Sequence, residues 1–174
     1  QLLDVFRQFL RQTRDAAVIE KDVAGQLGPE CMSHLKVVLF DAGENGSGDF
    51  SHSNYRGGQF PVASFSRHGD ITLPMPGKHN AANALAILAA FEMLKLPTDS
   101  VAAELHNFRG VWRRFNLAGQ LPSGAPVYDD YAHNVEKLIS CIDAAREIRK
   151  GKVFAIFQPH GFGPLKFMRD ELFR

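Results

Sequence analysis

The sequence is poor in the features that mark several broad protein classes. No apolar run approaches the roughly 20 residues that a membrane-spanning helix needs, so that architecture is excluded. There are 2 cysteines in 174 residues, too few for a disulfide framework. Cys31 and Cys141 lie far apart in apolar settings and read as reduced core residues of a cytosolic protein. The formal net charge is +1, which leaves no excess of either sign to hold nucleic acid or a membrane surface. Gln1-Leu2-Leu3-Asp4 has neither an initiator Met nor the layout of a signal peptide, and the chain reads as a piece of something longer. Neither G-x-x-x-x-G-K-[ST] nor G-x-G-x-x-G occurs, and there is no internal repeat or low-complexity tract.

What is present is ordinary globular material, 45% hydrophobic and 22% charged, long enough for one domain or two small ones. Leu2, Leu3, Phe6, Phe9 and Leu10 recur at helical spacing and predict an amphipathic helix over 2–13. Ala16-Ala17-Val18-Ile19 and Leu35 to Phe40 read as buried strands, with a helical turn between them that Gly28-Pro29 stops. Helix, strand, helix, strand is the rhythm of a parallel sheet. Asp41 to Gly58 is rich in Gly, Ser and Asn. Its glycines follow no phosphate-loop pattern and no helix follows them, so the stretch reads as a mobile surface loop. Residues 59–73 turn to β periodicity, with a turn at Arg67-His68-Gly69-Asp70.

Three later stretches carry chemistry. In Pro76-Gly77-Lys78-His79-Asn80-Ala81-Ala82-Asn83 the Pro and Gly break the strand, and an Ala-rich helix runs to Leu94, with Ala82, Leu85, Ala86, Ala89 and Met93 expected inward. Asn80 and Asn83, three apart, share one face of its first turn. Either one of them caps the helix, or two amides side by side meet a base edge with donors and acceptors. After a helix with Val101, Leu105 and Phe108 on its buried side comes Phe108-Arg109-Gly110-Val111-Trp112-Arg113-Arg114-Phe115. Its adjacent arginines are either a solvated pair or a planar grip for phosphate. A hairpin-like connector over 116–126 leads to Val127-Tyr128-Asp129-Asp130-Tyr131-Ala132-His133-Asn134, a short buried strand ending in ionisable side chains. Ligands bind beyond such strand ends in open α/β sheets. A helix over 135–149 is expected to face Leu138, Ile139, Ile142 and Ala145 inward. Lys152 to Phe157 reads as a further buried parallel strand, ending in Gln158-Pro159-His160, with a last helix from Leu165. A nicotinamide-binding Rossmann domain needs a glycine-rich first turn, which Asp130-Tyr131-Ala132-His133 does not supply. His79, His133 and His160 fit no zinc spacing.

These stretches, in this order, resemble the Mur ligase family, and Phe157-Gln158-Pro159-His160 resembles in particular its branch that adds L-alanine to UDP-N-acetylmuramate. The resemblance is sharp over about the last hundred residues. It implies an α/β fold: part of a central parallel-sheet ATPase domain with a small β extension over residues 1–112, followed by a truncated Rossmann-like C-terminal domain over 113–174. It also implies an ATP-dependent amide-bond ligase of peptidoglycan-precursor synthesis, acting in the cytoplasm through an acyl phosphate on a UDP-muramoyl carboxylate. Asn80 and Asn83 then match residues that meet adenine. Arg114, with Arg113 beside it, matches a hinge arginine that reaches ATP phosphates, and Asp130 the acid on the nucleotide ribose. Tyr131, His133 and Asn134 line the cleft where ATP and the amine meet, with His133 and Arg114 as the catalytic candidates. His160 lies where the family holds the amino acid.

The departures bear on activity. The phosphate loop and the Mg2+ ligands of the family are absent from this sequence and are expected outside it, so the chain alone is expected not to hydrolyse ATP. A non-catalytic scaffold or nucleotide-binding fragment is the alternative. Where the alanine-adding branch places arginines that clamp the amino-acid carboxylate, this chain has Gly161-Phe162-Gly163-Pro164, with Lys166 and Arg169 further on. Glycine and proline offer no fork of donors, so Lys166 or Arg169 substitutes or the amine differs.

Overall fold

The structure is a computed structural model that describes residues 1–159 and 161–172. Helix α1 (Leu2–Gln12) lays Leu10 against a small cluster of Ile19, Ala24, Leu27 and Cys31. Strand β1 (Ala16–Glu20) runs directly into α2 (Lys21–Leu27), whose first turn is capped by the Glu20 carboxylate accepting from Val23 N at 2.9 Å. α2 has no basic residue in its last turn. Arg7 of α1 supplies the missing donors, to the carbonyls of Leu27 at 2.9 Å and Gln26 at 3.0 Å, where unpaired carbonyls gather.

A short 3-10 turn, Pro29–Cys31, leads to β2 (Lys36–Glu44), which pairs parallel with β1 from Ala16–Lys36 to Glu20–Phe40. β3 (Ser51–Arg56) joins β2 in parallel through an irregular register, and β4 (Val62–Phe65) and β5 (Gly69–Thr72) extend the sheet antiparallel. The result is one five-stranded sheet in the order β1-β2-β3-β4-β5, a parallel part with an antiparallel extension. The stretch expected to be a mobile loop from Asp41 to Gly58 is therefore mostly strand. Residues 45–50 lie between β2 and β3, and Ser51–Arg56 forms a strand, despite its two serines, because its backbone groups find two neighbours.

Helix α3 (Lys78–Met93) covers this sheet, and α4 (Asp99–Asn107) follows. Ala81, Ala84, Leu85, Leu88 and Ala89 meet Phe50, Ala63, Phe65, Ile71 and Leu73, with Val101 from α4. The buried face of α3 is thus rotated from the expected set. Almost every residue of this helix after Asn83 is apolar, so no polar stripe marks its phase. Phe108, expected inward, is 47% exposed.

From residue 116 on, the chain forms a β-hairpin of β6 (Asn116–Gln120) and β7 (Pro126–Asp129), then α5 (Val135–Ile148) and α6 (Phe162–Leu172). β7 is only partly covered, not the buried strand expected. α5 seals Ala144 completely, while Ile139 stays 55% exposed. Lys152 to Phe157, expected to be a buried parallel strand, joins neither sheet. Phe154 is 86% and Ile156 100% exposed. Apolar character drew the strand reading, but burial needs neighbours on both faces, and β7 pairs with β6 alone.

Candidate functional site

The first turn of α3 is built by its breaker. Pro76-Gly77 ends the preceding chain, and Gly77 takes φ 103° as the N-cap residue, a conformation that suits glycine. Neither asparagine caps the helix. Asn80 Nδ2 donates to the Pro76 carbonyl at 2.8 Å and braces the turn, while Asn83 is exposed. The His79 ring folds back over Gly77, where a β-carbon would lie 2.5 Å from its Cε1. Although His79 keeps some solvent contact, loss of hydration around its ring pulls its pKa below the usual value. The Asp130 and Glu147 carboxylates oppose this shift and the Arg114 guanidinium adds to it. Three charged groups from the later part of the chain therefore act on the first turn of α3.

The connection that delivers them is strained. Arg113 and Phe115 sit at φ 57° and 48°, in the left-handed region that non-glycine residues occupy at a cost. This wrapped turn aims Phe115 N–H at Asp130 Oδ2, 2.8 Å away, and so orients that carboxylate. The Phe115 ring stacks on Tyr128 with 4.4 Å between centroids. Arg113 is locked: its carbonyl accepts from Tyr131 N at 2.9 Å, and its Nε pairs with Asp129 Oδ2 at 3.3 Å. Its guanidinium also lies 4.8 Å from the Tyr131 ring centre and 5.6 Å from that of Trp112. Arg114 is exposed and lines a cavity of about 370 Å³ with Met75, Phe108, Phe115 and Tyr128. The adjacent arginines thus divide into one that holds the turn and one that faces open space.

Beyond β7, His133 Nδ1 lies 2.9 Å from the Tyr131 carbonyl and Nε2 lies 3.4 Å from Lys137 Nζ. A carbonyl only accepts and an ammonium only donates, so this arrangement needs the tautomer with its proton on Nδ1. Asn134 is the N-cap of α5, its Oδ1 accepting from Lys137 N at 3.0 Å. That cap starts the helix which carries Lys137 to His133. Lys166 lies exposed on α6, and Arg169 with it. His160 lies outside the described residues. Among the described residues no three His, Cys, Asp or Glu side chains gather where they could hold a metal ion.

A second cavity, about 500 Å³, opens beside β2 and contains none of these residues. Its rim charges are largely paired, Lys21 with Asp41 at 3.3 Å and Arg67 with Glu92 at 2.6 Å. The glycine-rich stretch beside it turns its donors inward. Gly43 N and Ser47 N both donate to the Asp41 carboxylate, at 3.0 and 3.2 Å, so the chain's own anion occupies that nest. Sequence reasoning did not single out Tyr55 and Glu147, which meet at the N-terminus of α3. The available signal was helical phase: Glu147 stands three residues after Ala144, on the buried side of α5.

Residues 113–169 match the Mur ligase, glutamate ligase domain family. A UDP-N-acetylmuramate–L-alanine ligase of Syntrophomonas wolfei is 34% identical over 178 residues, which cover 96% of this chain and 37% of that protein. The chain belongs to the Mur ligase family. A second Mur ligase, the UDP-N-acetylmuramate–L-alanine ligase of Xanthobacter autotrophicus, is 43% identical over 101 residues, 58% of this chain and 21% of that one. The crystal structure of the UDP-N-acetylmuramate-alanine ligase of Thermotoga maritima superposes with a TM-score of 0.67 at 27% identity, covering 84% of this chain and 33% of that one. The chain therefore spans between 21% and 37% of the length of these Mur ligases.

Proposed function

We propose that this chain is part of an ATP-dependent amide-bond ligase that joins an amino acid, L-alanine by default, to UDP-N-acetylmuramate through an acyl phosphate. The observation that carries this reading is that Arg114 shares a cavity with Met75 and Pro76, the residues that lead into α3, while the oriented Asp130 carboxylate lies within electrostatic reach of His79. The names of the relatives support the substrates. In this reading Asn80 and Asn83 meet the adenine edge with amide donors and acceptors. Asp130, oriented by Phe115 N–H, accepts from ribose hydroxyls. Arg114 reaches the phosphates, and Arg113 acts by holding the turn that aims it. Tyr131 and His133 line the side from which the amine arrives, and Asn134 serves them by starting α5. Lys166 supplies a single cation for the amino-acid carboxylate in place of the family's arginine fork. These residues work by positioning and by stabilising charge on the transferring oxygens. Among the described residues no three His, Cys, Asp or Glu side chains gather, and the ligands for magnesium belong to the remainder of the whole protein in this reading. With no phosphate-loop motif, the chain alone turns over no ATP. In this reading the ligase works in the cytoplasm, without nucleic acid or membrane as a partner.

A second reading, a non-catalytic Mur-like scaffold with relict nucleotide contacts, is favoured by Gly161-Phe162-Gly163-Pro164 standing where the clamp arginines would be. One experiment separates the two. The whole gene product is supplied with ATP and UDP-N-acetylmuramate, then L-alanine, other amino acids or short peptides, and phosphate release is followed. Release that needs both the sugar nucleotide and an amine establishes the ligase and names its amine. No release with any pair leaves the scaffold.

A further inference from the structure

Tyr55 and Glu147 are 92 residues apart in sequence, one on β3 and one on α5, and they converge on a single backbone nitrogen. The Tyr55 hydroxyl donates to Glu147 Oε2 at 2.8 Å. Gly77 N–H, at the start of α3, donates to both, to the Tyr55 oxygen at 3.0 Å and to Glu147 Oε2 at 3.2 Å. The carboxylate thus sits at the positive end of a 16-residue helix, where a negative charge is favoured and its hydrogen bonds are charge-assisted.

Packing makes the contact specific. A β-carbon at Gly57 would lie 3.2 Å from the Glu147 side chain, and one at Gly77 would lie 3.4 Å from the Ala144 Cβ. Taking residues 1–112 as a first unit and 113–172 as a second, two glycines on the first leave the room that α5 enters, and Ala144 is wholly buried there. Burial, reinforced by the neighbouring Glu147, raises the Tyr55 pKa far above its usual value, so the phenol keeps the proton that the contact uses.

We propose that Tyr55 and Glu147 form a latch on Gly77 that sets the angle between the two units and so positions Asp130 and Arg114 against the first turn of α3. Glu147 is then a positioning residue, acting through the orientation of α5 and the β7 terminus. The functional consequence rests on the nucleotide reading given above; the latch itself does not. A protein whose binding-competent arrangement is only partly populated loses apparent affinity by that fraction, and the latch holds this arrangement populated before any ligand arrives.

The test uses backbone amide residual dipolar couplings of the 174-residue chain without nucleotide, and a second arm adds ATP and magnesium to the whole gene product. In the wild type, one alignment tensor fits the amides of both units. In Tyr55→Phe and Glu147→Ala each unit still fits its own fold, but the second unit's tensor shrinks relative to the first. Glu147→Gln, which keeps an acceptor but loses the charge, falls between. If Glu147→Ala does not fold, Tyr55→Phe, which deletes one oxygen, carries the test. A single unchanged tensor in Tyr55→Phe, or two independent tensors already in the wild type, overturns the latch. In the second arm ATP shifts the amides near Asn80 and Asp130, and the variants bind it roughly tenfold more weakly. A wild type that does not respond to ATP overturns the nucleotide reading, while the couplings still decide the latch. A wild type that responds, with a Tyr55→Phe variant equal to it in couplings and affinity, overturns the latch and leaves the nucleotide reading standing.

Discussion

At the scale of single residues, much of the polar chemistry is settled by which donors surround each group. Ser47 N–H, then Gly43 N–H, hold the Asp41 carboxyl below its ordinary 3.8, with Lys21 adding to them and burial opposing. A folded pKa below the unfolded value means stability that is complete above pH 3.8 and is lost as pH falls through the lowered value. Asp41→Asn should therefore cost about 1–2 kcal/mol at neutral pH. Urea unfolding of both proteins should show the gap closing under acid; a gap undiminished at the lowest pH would refute the assignment. Cys141 is the second case. Burial first, and then the Asp130 charge, push its thiol up to about 11. Its thiolate population at pH 8.5 is then on the order of a hundredfold below that of an ordinary cysteine. Alkylation by iodoacetamide should be slowed by a comparable factor in the native chain and restored in denaturant. Rapid native-state modification of Cys141 would show the thiol to be solvated.

At the scale of elements, periodicity and breakers identified most helices and strands. α1, α2, α3 and α5 appear close to their predicted places because capping and apolar spacing are local. The phase of α3 was not legible, since a run of alanines and leucines offers no polar face. The strand from Ser51 to Arg56 was not legible either, because its residues are polar and only its neighbours β2 and β4 make it a strand. Asn134, expected to line the cleft, also caps α5. Asn134→Ala should cost about 1 kcal/mol and raise hydrogen exchange at the amides of Glu136 and Lys137. Unchanged protection there would mean that the cap contributes nothing.

At the scale of the whole molecule, the paired arginines take different parts. Both looked alike in sequence; the left-handed turn at Arg113 and Phe115 separates them. In the full-length gene product, Arg114→Ala should leave the unfolding midpoint unchanged and lower ATP-dependent turnover roughly a hundredfold, as loss of a charge stabiliser does. Arg113→Ala should instead lower stability by about 1 kcal/mol, having lost its ring contacts and its partly exposed pair with Asp129. Equal effects on turnover with no loss of stability in either would show the two to be one solvated pair.

Local sequence pattern carries the α/β class, the order of most elements and the stretches that hold the chemistry. Those depend on interactions within a few residues: helical spacing, strand-breaking prolines and glycines, and ionisable groups at a strand end. Only the tertiary structure decided which groups meet. Long-range packing turned α3 onto Ala81, Ala84 and Leu88, and left Phe154 and Ile156 uncovered. It also brought Tyr55 and Glu147 together on Gly77. A side chain's partner depends on how whole elements pack, and no local pattern encodes that distance.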